Sequence, residues 1–319
     1  MKKVLITGAA GTLGLQVLRF LLSEGKYEIS VLELKSKHVY RRLRKFRKRI
    51  NIIYGDINDE AIVDALVKDH DIVIHLAAIL PPFANVREDL VELINYQGTK
   101  NIVNAIKSYN PNCYLLYASS TSVYGKVEDS ENITVNAEGV ISDYDYYSQN
   151  VLRAEEYIKE NVKNYTIFRS AYILCDVKHE TAIYNVPIDL TIEAISAEDA
   201  GYAFVSAIDF QKKLNKKTYN LSGGPKYSVY FGDYLIRVLN TYGLSLRFLS
   251  TFILSEKNYY GGSYSDGDKL NDILNFRSKD IELYYDVLDI YKGKISRCIP
   301  RILARPFVWY LKLHNKKSK

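Results

Sequence analysis

At 319 residues and 47% hydrophobic content, the chain carries enough apolar material to bury a large core, in one big domain or in one domain with an appendage. The three cysteines, Cys113, Cys175 and Cys298, are odd in number, far apart and without histidines at ligand spacing, which argues against a disulfide framework or a zinc site and for a reducing, cytoplasmic setting. Net charge is only +6 but unevenly placed: Lys35 to Arg49 holds nine Lys or Arg and no acid, and Tyr291 to Lys319 holds nine more.

The start, MKKVLITGAAG, puts two lysines before an apolar run that reaches only from Val4 to Ile6, too short for a signal sequence. No stretch of 18 apolar residues occurs, so a spanning helix is excluded by length. KVLIT reads as a first strand, and TGAAGTLG follows it directly at the head of the helix LGLQVLRFLLSEG. Glycines 8, 11 and 14 allow a tight turn there and leave room for a pyrophosphate at the helix N-terminus, whose free N–H groups and positive dipole end attract it. The second strand, EISVLEL, brings Glu33 to its end, where a carboxylate would accept from adenosine ribose hydroxyls and favour NAD. Lys35, Lys37, Arg41 and Arg42 come next, and cations of this kind could hold the 2′-phosphate of NADP instead.

Further on, NIIYGD, DIVIHLAA, CYLLYASS and YTIFRS read as four more strands. They alternate with the helical segments DEAIVDALVKD, VELINYQGTKNIVNAIKSY and YYSQNVLRAEEYIKENV, the rhythm of βα units around a mostly parallel sheet. After about Ala171 that rhythm breaks down into smaller elements, among them the helices SAEDAGYAFVSAI and YFGDYLIRVLNTYG. The expected division is a dinucleotide-binding domain over 1–170, a smaller substrate-binding region over 171–290 and a basic tail over 291–319.

These segments together resemble the extended short-chain dehydrogenases/reductases, and within them the NAD-dependent epimerase/dehydratase group acting on nucleotide sugars. Beyond the glycine loop, YGDI, IHLAA, INYQGTKNIVNA, YASSTSVYG, SAEDAGYAF, KTYNLSGG and GDKLNDILNF are similar to that family's signatures in the family's order, from Met1 to about Val287. The resemblance implies a doubly wound Rossmann-type α/β fold with a small C-terminal α+β substrate region. It implies NAD, or alternatively NADP, held by Gly8, Gly11, Thr12, Leu13, Gly14, Glu33, Asp56, Ile57, Leu76, Ala77, Ala78, Asn95, Ser119 and Tyr147. It also implies a sugar or nucleotide-sugar substrate, and a homodimer through the helices that begin near Leu90 and Tyr147.

In that family a tyrosine takes the proton of a sugar hydroxyl while hydride leaves for the nicotinamide, a Ser or Thr bonds the same oxygen, and a lysine four residues after the tyrosine grips the nicotinamide ribose. Free tyrosine has a pKa of about 10, so a base useful at neutral pH needs help of about 4 kcal/mol. Ser120 stands at the Ser/Thr position and Tyr147 at the tyrosine, but the lysine position falls on Val151. Reading from Tyr146 or Tyr144 instead gives Asn150 or Ser148, so no frame supplies the lysine, and impaired catalysis is expected. Lys126 and Lys178 are the other cations that could reach the site from a loop. Thr121 and Ser122 stand where the family's 4,6-dehydratases carry an acidic pair, which argues against dehydration. The stretch DVKHETAIYNVPIDLTIEAI contains no arginine to clamp a diphosphate, and its basic side chains are Lys178 and His179. Pro81, Pro82 and Phe83 lie near the expected nicotinamide end, with Arg87 the nearest candidate for an anionic substrate.

The expected function is thus an epimerase- or reductase-like protein working by reversible hydride transfer, and the alternative is a dinucleotide-binding sensor or partner-binding protein that no longer catalyses. The tail, with Ile295, Ile299 and Ile302 at helical spacing, Phe307 and Trp309 beyond, and Pro300 and Pro306 as breaks, reads either as a segment packed on its own domain or as a peripheral membrane contact. Nucleic acid is not expected, because no recognition fold accompanies the charge.

Overall fold

The computed structural model describes residues 1–81, 83–85, 87–174, 189–241 and 261–295. Strands β1 (Lys2–Thr7), β2 (Tyr27–Glu33), β3 (Asn51–Tyr54), β4 (Ile72–His75), β5 (Tyr114–Ser120), β6 (Tyr165–Ser170) and β9 (Lys217–Leu221) form one sheet in the order β3-β2-β1-β4-β5-β6-β9, parallel at every pairing. Runs such as VLIT and IVIH are buried throughout because helices cover both faces. The side-chain alternation divides them: Val4, Ile6, Tyr114 and Leu116 enter one apolar layer, while Leu5, Leu115 and Tyr117 enter the other. The strand order reverses between β1 and β4, and the crevice outside that switch point is where ligands sit in open sheets of this kind.

On one face, α1 (Thr12–Glu24) packs against α7 (Ala197–Ser206). The contact needs Gly201, since a Cβ there would lie 2.5 Å from that of Gln16. On the other face lie α3 (Glu60–Lys68), α5 (Gly98–Tyr109) and α6 (Tyr146–Asn161). The long helix expected from Val91 is interrupted. A short α4 (Glu88–Val91) leads into a π-helical stretch over Glu92–Gln97, and only then does α5 begin. The widened turn presents Asn95 to the backbone of Ile79, accepting from its N–H at 2.7 Å and donating to its carbonyl at 3.0 Å.

Two elements were hidden by composition. Helix α2 (Lys37–Leu43) lies inside the basic run; Ser36 caps it by accepting from the Val39 N–H, and Val39 and Leu43 are buried. Strand β9 is supplied from beyond Ala171, so the C-terminal residues complete the large sheet as well as building a second one. That second sheet joins β7 (Tyr172–Leu174), β8 (Thr191–Ser196) and β10 (Ser228–Tyr230) in the order β10-β8-β7. Helix α9 (Phe231–Thr241) packs on β10 of this sheet and α11 (Ile281–Ile295) on α9, whereas α8 (Gln211–Leu214) and α10 (Asp268–Leu274) lie against β6 and β9 of the large sheet. An aromatic-rich cluster of Tyr227, Phe231, Tyr234 and Tyr285 fills the space under α9 and α11.

His75 closes the centre of the fold. The Thr99 hydroxyl donates to the Asn95 carbonyl at 2.7 Å, so it accepts from His75 Nε2–H at 2.8 Å, and His75 Nδ1 then accepts from the Thr7 hydroxyl at 2.7 Å. This chain ties β1, β4 and α5 together with a neutral imidazole, and burial drives its pKa down to about 3. Below about pH 6.5 the unfolded chain therefore binds a proton that the native protein refuses, and stability is lost as pH falls. The expected slope from this residue is about 1.4 kcal/mol per pH unit between roughly pH 6 and pH 5. Urea titrations at a series of pH values should show that slope diminish in His75→Gln; an unchanged slope would remove the histidine from the account.

Candidate active site

Gly8, at φ +73, turns the chain out of β1. A Cβ on Gly8 would meet the Ala77 nitrogen at 2.7 Å, and one on Gly14 would meet the Gly8 carbonyl oxygen at 2.2 Å, so these two glycines are required by the close approach of loop, helix and β4 end. Gly11 differs. It occupies the N-cap of α1 in extended backbone (φ −69, ψ 174), with no side chain capping the helix and the nearest obstacle to a Cβ at 3.1 Å. The first N–H groups of a 13-residue helix are thus left facing outward, with Thr12 and Leu13 as its opening residues, an arrangement suited to a pyrophosphate.

The adenosine end is built by β2 and β3. Glu33 Oε1 accepts from the Ala10 N–H at 2.6 Å, fixing the glycine loop from the side, and burial raises the Glu33 pKa against the effect of that bond. Arg42 reaches from α2 to the Gly11 carbonyl at 3.5 Å, and its Nε is buried without a partner. Asp56 and Ile57 form the turn after β3: Asp56 Oδ1 accepts from both nitrogens of Asn58, and Asn101 of α5 donates to the Ile57 carbonyl at 3.2 Å. Gly98 allows that brace, because a Cβ there would meet Ile57 at 2.7 Å. Leu76, Ala77 and Ala78 leave β4 half-buried beside the glycine loop, the N–H groups of Leu76 and Ala77 directed to Thr7 Oγ1. Asn95 shapes this rim through Ile79, since both ends of its amide are engaged there.

At the next strand end Ser120 and Tyr147 meet. Ser120 ends β5 and accepts from the Ser122 N–H at 3.1 Å, starting a 3-10 turn over Thr121–Tyr124. Tyr147 stands in the first turn of α6, which Asp145 caps by accepting from the Ser148 N–H at 3.0 Å. The phenol is buried, and burial pushes its pKa up to about 12, with the hydrogen bond to Ser120 pulling the other way and the Asp145 charge adding to the rise. One helical turn on, Val151 packs in an apolar group with Ala84, Val91, Val123 and Tyr147. Lys126 belongs to a backbone bridge with Val140, and Lys178, like His179 and Pro82, falls outside the described residues.

Residues 4–178, more than half of the chain, match the family described as NAD dependent epimerase/dehydratase. The chain belongs to the NAD dependent epimerase/dehydratase family. CDP-paratose 2-epimerase of Salmonella typhi is 32% identical to it over 131 residues, 40% of this chain and 39% of that protein, so the chain matches about two fifths of the length of such curated relatives. Among solved structures, the UDP-Glc/GlcNAc 4-epimerase from Campylobacter jejuni superposes with a TM-score of 0.73 at 16% identity, covering 92% of this chain and 100% of that one. The UDP-glucuronic acid 4-epimerase from Bacillus cereus in complex with NAD gives 0.71 at 18%, covering 94% and 99%. At these identities the likeness is one of fold.

NAD, after which the epimerase/dehydratase family is named, fits the residues present: an uncapped helix end behind Gly11, a carboxylate at the end of β2 and a glycine-lined approach between β1 and β4. Behind this surface lies a buried charge pair that spacing alone did not disclose. Arg169 on β6 donates through Nε and Nη2 to the two oxygens of Glu155 on α6 at 2.9 and 2.7 Å, and Ser119 donates to the same carboxylate at 2.5 Å. Ser119, expected at the cofactor, ties β5 to this pair through its hydroxyl. Arg169 also donates to the Val135 carbonyl at 3.0 Å and lies over the Tyr124 ring. Tyr124 donates to Asn220 at 2.6 Å, and Asn220 to Asp266 at 2.8 Å, which carries the network into the C-terminal region. The family patterns around Tyr124 and Glu155 mark these positions; their partners lie 96 and 14 residues away, and nothing in the spacing marks those.

Proposed function

We propose that this chain binds NAD across the glycine loop and carries out slow, reversible redox chemistry at a hydroxyl-bearing carbon of a sugar or nucleotide-sugar ligand. The observation that carries the reading is the Ser120–Tyr147 pair at the strand ends beside an intact dinucleotide cradle. When bound, NAD accepts or returns a hydride. Tyr147 takes or gives the accompanying proton at its phenol oxygen, and Ser120 shares a hydrogen bond with it. Val151 leaves the phenol without the family's neighbouring cation, which is the physical ground for slow turnover. Glu33 beside the loop supports NAD over NADP, while Arg42 is the group placed to favour the phosphorylated cofactor. The division into cofactor domain (1–170), substrate region (171–290) and tail (291–319) belongs to the same reading.

A dinucleotide-binding sensor without turnover is the second reading, favoured by the apolar packing of Val151. Both require the cofactor site, so calorimetric titration of NAD⁺, NADH, NADP⁺ and NADPH is the deciding experiment, with Gly11→Val as control. A Cβ at residue 11 would lie 3.1 Å from the Gly8 carbonyl oxygen in a backbone any residue adopts, so the fold should persist while the side chain blocks the pyrophosphate. Micromolar binding of one redox pair, weakened about tenfold or more in Gly11→Val, is expected. No binding by any of the four would reduce the glycine loop to scaffold.

A further inference from the structure

Every cation between Lys35 and Arg49 lies among the described residues, and all nine are exposed except Arg42, which is half-buried and turned toward the Gly11 carbonyl. The packing of α2 explains the outward direction. Val39 and Leu43 bury one face of the helix, so Lys37, Tyr40, Arg41 and Arg44, at i, i+3, i+4 and i+7, take the opposite one. Elsewhere on the surface cations meet carboxylates: Lys3 pairs with Asp69, Lys26 with Asp209, Arg87 with Asp89 and Arg153 with Glu92. None of the nine does so among the described residues. Leu34, 56% exposed, and Tyr40, 52% exposed, stand within this field of charge. The run joins β2 to β3, the edge strand, and so lies at one margin of the sheet, with β2, β1 and β4 between β3 and the strand that ends in Ser120.

We infer that the outer face of α2 and the turn that follows it form a contact surface for an anionic lipid membrane, holding the protein peripherally at this margin of the sheet. Cations that find no counter-charge on their own chain gain it from lipid phosphates, and a cluster of this size on a helix with one buried face suits anionic headgroups. Tyr40 and Leu34 select among polyanions. An amphipathic ring and an aliphatic side chain set among cations favour the boundary between headgroups and acyl chains, whereas a nucleic acid would use the charge and leave Leu34 in water. A second copy of this chain, meeting the surface with its own α2, is disfavoured because like charge would face like charge. Among the described residues no helix is long and apolar enough to cross a membrane, so the contact lies on the surface. At this margin it stays clear of Ser120 and Tyr147 across the sheet.

The test is flotation of the full-length protein with vesicles of phosphatidylcholine alone and with vesicles also containing phosphatidylglycerol. It is repeated on the triple variant Arg44→Gln, Arg47→Gln, Lys48→Gln and on Tyr40→Ser. All four positions are exposed, so both variants should keep the parental midpoint in urea, which reports folding independently of any cofactor. The expected result is recovery with the anionic vesicles, weakened by salt and absent with the neutral ones, that falls about tenfold or more in the triple variant and severalfold in Tyr40→Ser. Both variants keep the basic tail, so a folded triple variant that floats as well as the parent moves the contact to another surface and overturns the inference. It is equally overturned if the parent stays with the soluble fraction or floats with neutral vesicles alike. Undiminished recovery of Tyr40→Ser would leave charge as the whole interaction and overturn the assignment to lipid.

Discussion

Val151→Lys is expected to raise the rate of NAD-dependent oxidation of a bound sugar hydroxyl by about 10²- to 10⁴-fold near neutral pH. Oxidation needs Tyr147 as phenolate. With burial holding the phenol at about 12, only about one molecule in ten thousand carries the phenolate at pH 8, and the rate should rise about tenfold per pH unit through the neutral range. A cation near the phenolate contributes on the order of 1 kcal/mol in water and several at lower effective dielectric, so the lysine variant should reach its plateau at a lower pH. Tyr147 and Val151 lie one turn apart on the same side of α6, which puts a lysine within reach of the phenol while its stem replaces the valine methyls. Introducing it among Ala84, Val91 and Val123 should cost about 1–3 kcal/mol of stability. Val151→Met supplies length without charge and should give no gain. The assay is single-turnover formation of NADH across a panel of nucleotide sugars and free sugars at several pH values. A folded lysine variant that binds NAD and shows neither faster turnover nor a shifted pH profile would remove Val151 as the cause of slow catalysis, and the sensor reading would then stand.

The six strands of the first half were legible because each is a short apolar run bounded by turn residues, and burial on both faces of a parallel sheet needs little else. The glycine loop was legible for a related reason: Gly8 turns the chain at positive φ and Gly14 is demanded by contact with the loop's own Gly8 carbonyl, although the second demand on Gly8, the close approach of Leu76 and Ala77, is not local. Helix α2 was obscured because only Val39 and Leu43 of its seven residues are buried, which is too few to show periodicity through a field of lysine and arginine. Strand β9 was read as a signature and not as a strand, since its place at the edge of the large sheet depends on β6 and on no pattern of its own. The pair Ser120 and Tyr147 could be found from their neighbours in sequence; that burial would keep the phenol protonated could not, because it depends on the packing around both side chains. Asn95 and Ser119 show the opposite limit. Their positions follow the family pattern, yet both side chains are engaged with the protein, one with Ile79 and one with Glu155.

Arg169→Ala should be the most damaging single change to the fold among those considered, costing about 3–5 kcal/mol, because it leaves a carboxylate buried without its bidentate partner. Burial works against the Glu155 carboxylate, yet the Arg169 guanidinium, with Lys159 and Ser119 assisting, holds its pKa below the usual carboxylate range. In the parent the native state therefore binds fewer protons here than the unfolded chain, so this group's contribution is present above the carboxylate range and is lost as pH falls through it. Without Arg169 the burial penalty is no longer offset, the native pKa moves above the unfolded value, and the sign reverses: acidification should relieve part of the damage. Lys159, whose ammonium lies 3.0 Å from Glu155 on the solvent side, moderates the loss without replacing two parallel hydrogen bonds. Urea unfolding of the parent, Arg169→Ala and the double variant Glu155→Leu, Arg169→Met at a series of pH values separates the possibilities. The single variant should be least stable at neutral pH and recover relative to the parent as pH is lowered. The double variant should regain most of the stability, since removing both charges leaves the buried Ser119 hydroxyl and the Val135 carbonyl to be satisfied otherwise, while the Lys159 ammonium can turn to solvent. If Arg169→Ala loses less than about 1 kcal/mol and keeps the parental pH profile, the pair beneath Ser119 does not hold α6 to β5 and β6, and the placement of Tyr147 beside Ser120 must be secured by the apolar packing around Val151 alone.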